Sequence, residues 1–81
     1  MTREELRSRL LECLAVIAPE VDVSALKPSQ RLRDQVDLDS VDWMNFLVAV
    51  HSRLGIDIPD ADVGQLTTLD KLIEYCVGKL R

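Results

Sequence analysis

Asp37-Leu38-Asp39-Ser40-Val41-Asp42-Trp43-Met44-Asn45-Phe46-Leu47-Val48-Ala49-Val50-His51-Ser52-Arg53-Leu54-Gly55 is the stretch that decides the fold. It reads as a single helix beginning at Ser40 and ending at Leu54. Asp39 is a good N-cap, because a short carboxylate accepts a first-turn N–H, and Asp42 stands at capping-box spacing as a weaker substitute for Glu. Gly55 occupies the position where helices commonly close in left-handed backbone. At about 100° per residue, Trp43, Phe46, Leu47, Val50 and Leu54 share one arc, which is already a sufficient core-facing stripe. Val41, Met44 and Val48 align on the opposite side, with Asn45 and Ser52 beside them. A second apolar stripe means either a central helix buried all round or an exposed surface that meets a partner. An adaptable methionine at its centre suits a surface that meets several partners in turn.

Working towards the amino terminus, residues 18–39 form an unusually long connection for a small domain. Val21, Val23, Leu26, Leu32 and Val36 are spaced along it as anchors to a core, and Pro28 marks a turn. Before it, residues 2–17 read as a helix. Thr2 and Glu5 have capping-box spacing, Glu4 adds charge near the positive helix end, and Leu6, Leu10, Cys13, Leu14 and Ile17 recur at helical intervals. Pro19 disfavours helix at Ala18 and stops the element.

Towards the carboxyl terminus, Ile56-Asp57-Ile58-Pro59 alternates like a strand but is short, ends in proline and has no pairing partner, so it reads as an extended link. A short helix is expected over residues 60–66. A last helix opens at Thr67/Thr68, with Asp70 at capping-box spacing from Thr67 and Leu69, Leu72, Ile73, Cys76, Val77 and Leu80 facing inward. The expected fold is all-α: a four-helix bundle with a long first loop and a short third helix, as one domain over residues 1–81.

The chain has 81 residues and a net charge of −4. Residues 1–35 balance six basic against six acidic side chains, so the acidic excess lies wholly in the remainder. That field repels nucleic acid and favours basic protein partners. No apolar run approaches the ~20 residues of a membrane span, and the charged start Met1-Thr2-Arg3-Glu4-Glu5 lacks a secretory signal, so a cytoplasmic monomer is expected. Cys13 and Cys76 lie far apart, outside any CxxC pair, on predicted inward faces. They read as small apolar residues rather than redox groups.

Ser40 falls in the first turn of its helix, where unpaired N–H groups and the helix dipole favour an attached phosphate. Asp39 and Asp42 oppose this locally. Their charge suits recognition by a basic modifying enzyme, with a metal ion bridging phosphates during transfer. The plainer reading is that Asp39-Ser40 is only a helix cap.

The run from Asp37 to Leu47 resembles the acyl carrier protein signature, an Asp-Ser pair followed by Leu, Ile, Met or Val at the start of a helix. The resemblance extends through Leu54-Gly55-Ile56-Asp57-Ile58-Pro59-Asp60 to Thr67-Thr68-Leu69, in order and with matching spacing, and so covers essentially the whole chain. It implies a right-handed four-helix bundle. It also implies that a phosphopantetheinyl transferase moves 4'-phosphopantetheine from coenzyme A onto Ser40, and that the arm's thiol holds acyl cargo as a thioester. By position, Asp39 would contact the transferase. Val41, Asp42, Met44, Asn45 and Val48 would dock the enzymes that load and receive the cargo. The chain itself would catalyse nothing.

Departures from the family pattern narrow the expectation. Carriers of fatty-acid synthesis usually place Glu where this chain has Asn45 and His51, and are acidic again at Ser52 and Arg53. Gly is common where Asp37 stands, and Trp43 replaces a small polar residue. The arm chemistry is untouched, but much of the acidic field read by basic synthase enzymes is gone. A specialised lipid, polyketide or related pathway is therefore expected rather than housekeeping fatty-acid synthesis. A peptidyl or aminoacyl carrier differs only in cargo and stays open, as does an unmodified helical interaction module.

An enzyme is disfavoured: His51 is the sole histidine, three turns along the helix from Ser40, too far for a Ser–His pair. The aspartate-rich turns fail as calcium loops. Counting from Asp37, the sixth position is Asp42 rather than Gly and the twelfth is Val48 rather than Glu. Counting from Asp60, Gly64 is fifth and Gln65 sixth.

Overall fold

The computed structural model describes residues 1–80. Helix α1 spans Arg3–Ile17, α2 Leu32–Gln35, α3 Ser40–Leu54, α4 Asp60–Val63 and α5 Leu69–Leu80, with a 3₁₀ turn at Val23–Ala25. The fold is all-α, and among the described residues the only β pairing is an isolated bridge between Arg31 and Thr68. One apolar cluster is shared by all the long helices, with Leu6, Leu10, Leu14, Phe46, Val50 and Leu72 almost completely buried.

Helix α1 begins as its cap residue dictates: Thr2 Oγ1 accepts the Glu5 N–H at 3.1 Å. The Glu5 carboxylate meets the Thr2 hydroxyl instead of the Thr2 backbone, so only half of a capping box is made. Ala18, forced out of helical backbone by Pro19 (φ −133°, ψ 75°), ends the helix and donates to the Leu14 carbonyl at 2.8 Å. An exposed ion pair between Arg3 and Glu74 joins α1 to α5. Cys13 and Cys76 are free and fully buried. Burial raises the Cys13 thiol above its ordinary value and pushes Cys76 up to about 11, so neither is a ready thiolate.

The long connection is ordered by two sets of contacts. Leu26, Leu32 and Val36 are buried, Val21 and Val23 half-buried, as their spacing implies, and Leu38 is a further buried anchor. The second set is polar and was not legible in the apolar pattern. The Gln35 amide accepts the Lys27 N–H at 2.7 Å and donates to the carbonyls of Lys27 and Gln30 at 2.8 and 3.1 Å, closing the loop on itself. Leu32 N–H donates to the Thr67 carbonyl and Asp70 N–H to the Pro28 carbonyl, stitching the loop to the start of α5. These bonds satisfy backbone groups that a structureless loop would leave exposed.

Three expectations near the carboxyl end need correction. The short helix stops at Val63 rather than at residue 66, because Gly64 and Gln65 turn the chain, while Leu66 is nevertheless buried. The cap of α5 is Thr68, whose Oγ1 accepts the Lys71 N–H at 3.1 Å. A Thr67–Asp70 box does not form, since the Asp70 N–H is taken by Pro28. Leu80, expected inward, lies 44% exposed in the final turn. Helix α4 has no side-chain cap and is held instead by Tyr75, whose hydroxyl donates to Asp62 Oδ2 at 2.7 Å.

Candidate functional site

Ser40 is the first residue of α3 and is exposed. Among the described residues no hydrogen-bond partner engages its hydroxyl, which is therefore available as an acceptor of new covalent chemistry. The segment leading into it is firmly held. Leu38 is buried, and its carbonyl accepts Arg33 Nε–H at 3.3 Å. The capping box is complete: Asp39 Oδ1 accepts the Asp42 N–H at 2.8 Å, and Asp42 Oδ2 accepts the Asp39 N–H at 3.4 Å. Aspartate at the third helical position thus does the work expected of glutamate there. Gly55 closes the helix with φ 67°, donating to the His51 carbonyl at 2.9 Å.

The two stripes of α3 have different fates. Trp43, Phe46, Leu47 and Val50 are buried, with the Trp43 and Phe46 rings 5.3 Å apart and tilted by 36°. Leu54, placed in the same arc, is only half-buried at the helix end. On the other side Val41, Met44 and Val48 are 67%, 46% and 58% exposed, and Asn45 is exposed beside them. The reading of α3 as buried all round is therefore excluded. The remaining large exposed apolar side chains lie elsewhere, Met1 before α1, Val16 on α1 and Leu80 on α5, so the accumulation on α3 is local.

This stripe borders a cleft of about 250 Å³ that the helix pattern could not disclose, lined among others by Met44, Val48, His51, Asp57, Ile58 and Val63. Its far wall is the extended link after Gly55 together with α4. The alternation of Ile56 and Ile58 was the available signal: Ile56 turns into the core, whereas Ile58 is half-buried at the cleft. His51 is exposed there, its Nδ1 3.0 Å from the Ile56 carbonyl, a contact that places the proton on Nδ1. Eleven residues of helix separate it from Ser40, a rise of roughly 16 Å, so the two form no catalytic pair.

Among the described residues no helix is long and apolar enough to cross a membrane. Residues 8–76 match the family described as "Phosphopantetheine attachment site". The chain is 29% identical over 77 residues to an acyl carrier protein of Rubrobacter xylanophilus, covering 95% of this chain and 94% of that one. It is 28% identical over 75 residues to an acyl carrier protein of Myxococcus xanthus, covering 89% and 95%. In structure it resembles the acyl carrier protein from Enterococcus faecalis, with a TM-score of 0.74, 23% identity, and coverage of 98% of this chain and 99% of that one, a likeness of fold.

Proposed function

Since this chain belongs to the phosphopantetheine attachment site family, we propose that it is an acyl carrier whose Ser40 bears the arm. The observation that carries this reading is the free, exposed Ser40 hydroxyl at the head of a helix whose adjoining face is apolar and uncovered. The residues fit the group. First-turn N–H groups and the helix dipole favour a phosphodiester on Ser40, and nothing at the site obstructs its approach. The carboxylates of Asp39 and Asp42 oppose it in part, but one oxygen of each is committed to the cap.

When attached, 4'-phosphopantetheine supplies a thiol that holds an acyl group as a thioester. The protein's own part is to present and orient. Asp39 holds the start of α3 rigid and offers its charge to a basic phosphopantetheinyl transferase, which takes the arm from coenzyme A. Val41, Met44 and Val48 bury against acyl-loading and acyl-transfer enzymes, with Asp42 and Asn45 flanking. The chain contributes no catalytic step.

A specialised pathway accounts for the docking helix. Asn45 and Ser52 are exposed beside the apolar stripe and His51 at the adjoining cleft, so acidic side chains are lacking at these positions next to the proposed docking face, while Arg53 is exposed on the side of α3 nearer α1. Loading by fatty-acid synthase enzymes as efficient as that of their own carrier would overturn this narrower assignment.

The carrier assignment is tested by incubating the protein with coenzyme A and a broad-specificity transferase and recording intact mass. Wild type gains one phosphopantetheine and Ser40→Ala gains none. A folded wild-type protein that stays unmodified would leave an unmodified interaction module in its place.

A further inference from the structure

A second cleft, of about 240 Å³, lies on another side of α3 and is lined by Arg31, Arg33, Trp43, Val63, Gly64 and Thr67. Resting on the assignment of the arm to Ser40, we propose that this cleft receives the far end of the cargo and selects acyl groups that terminate in a carboxylate.

Charge is the first observation. The chain carries a net charge of −4, yet the charged residues lining this cleft are two arginines. Arginine presents a planar fork of donors that matches a carboxylate in bidentate fashion, which lysine does not. Arg33 is already oriented, because its Nε–H is spent on the Leu38 carbonyl at 3.3 Å while its terminal nitrogens stay available. Arg31 Nε is 3.6 Å from Asp34, but both side chains are more than 60% exposed. An exposed pair of that kind is worth roughly 0–1 kcal/mol and yields readily to a better-placed anion.

Position and shape are the second. Trp43 follows Ser40 by three residues, about 4.5 Å along the helix, so the cleft opens beside the root of an arm on Ser40 and the cargo's end reaches it when the arm folds back along the protein. The Trp43 ring is 7% exposed and packed on buried Phe46, which makes a firm apolar wall rather than an open route into the core. Val63 adds apolar surface opposite, and the Thr67 hydroxyl adds a donor. Apolar walls with cations at the rim fit an aliphatic chain ending in an anion better than a wholly apolar tail.

The arm's own phosphodiester shares the anionic chemistry, so the two sources must be separated. Trp43 is the only tryptophan, and its fluorescence reports on the cleft directly. The transferase installs phosphopantetheine carrying nothing, an amide-linked hexanoyl group or an amide-linked adipoyl group, the last two equal in carbon count and differing in the terminal carboxylate. Intact mass confirms each product. The adipoyl form is expected to shift Trp43 emission and the Nε–H resonances of Arg31 and Arg33. The hexanoyl and bare forms leave the arginine resonances in place, and Arg31→Gln with Arg33→Gln abolishes the difference. Equal arginine shifts with hexanoyl and adipoyl would overturn the selectivity, and shifts already complete with the bare arm would assign the arginines to the phosphodiester. Failure to gain mass would overturn the carrier assignment itself, and this inference with it.

Discussion

The two faces of α3 are both apolar and have opposite surroundings. Trp43, Phe46, Leu47 and Val50 lie against α1 and the core, while Val41, Met44 and Val48, on the same fifteen-residue helix, lie open beside Ser40. The buried face follows from the need of a short chain to remove apolar surface from water. The open face follows from no folding requirement, and its apolar side chains cost solubility without contributing to the core. The difference separates residues that hold the fold together from residues proposed to meet partners, and substitutions on each face should fail in different ways.

The largest effect is expected on the buried face. Phe46→Ala removes a ring that is 1% exposed and should cost about 3–5 kcal/mol, a large part of the total for a domain of this size. Urea denaturation checks this, and a loss below ~1 kcal/mol would mean that Phe46 is not central to the core. Met44→Asp, one turn along from Ser40, should leave stability within about 0.5 kcal/mol. It should lower acyl transfer by partner enzymes roughly tenfold, equivalent to about 1.4 kcal/mol. If it unfolds the protein and leaves transfer per folded molecule unchanged, the division between the faces is wrong.

Asp39→Ala sits on the boundary between them. Loss of the side-chain cap should cost about 1 kcal/mol in thermal or chemical denaturation. Arm transfer should slow by more than that destabilisation explains, whereas Asp39→Asn, which keeps a cap acceptor, should restore stability but not the transfer rate. The smallest effect concerns Tyr75, which anchors α4 and hence the far wall of the cleft beside the open face. Partial burial, followed by the hydrogen bond to Asp62 and its charge, pushes the Tyr75 hydroxyl up to about 12. A folded value above the unfolded one near 10 means the contribution is complete below about pH 10 and is lost as pH rises through about 12. Tyr75 is the only tyrosine, so its phenolate absorbance should titrate near 12 in wild type and at lower pH in Asp62→Ala, where the hydrogen bond and charge of Asp62 are gone but the burial remains.

Much of this was legible in the sequence where a local rule governs. The caps at Thr2 and Asp39, the stop at Pro19 and the left-handed Gly55 depend on a few adjacent residues, and the structure agrees with them. The two stripes of α3 followed from its period, although the period alone left open whether the second was covered. Legibility ended where partners distant in sequence compete. The Asp70 N–H, which the spacing assigns to Thr67, bonds Pro28 across the loop, and Gln35 gathers carbonyls that no periodic pattern connects. The clefts were invisible for the same reason: Val63 belongs to one short helix, yet it lines both, one with His51 and Asp57, the other with Arg31 and Arg33.

The central claim is that Ser40 carries the arm, and locating the modification tests it most directly. Trypsin cleavage after Arg33 and Arg53 releases a peptide that contains both Ser40 and Ser52, serines at opposite ends of α3. Fragmentation of that peptide after transferase treatment should place phosphopantetheine on Ser40 alone. Phosphopantetheine on Ser52, or an unmodified peptide from a folded protein and a competent transferase, would contradict it.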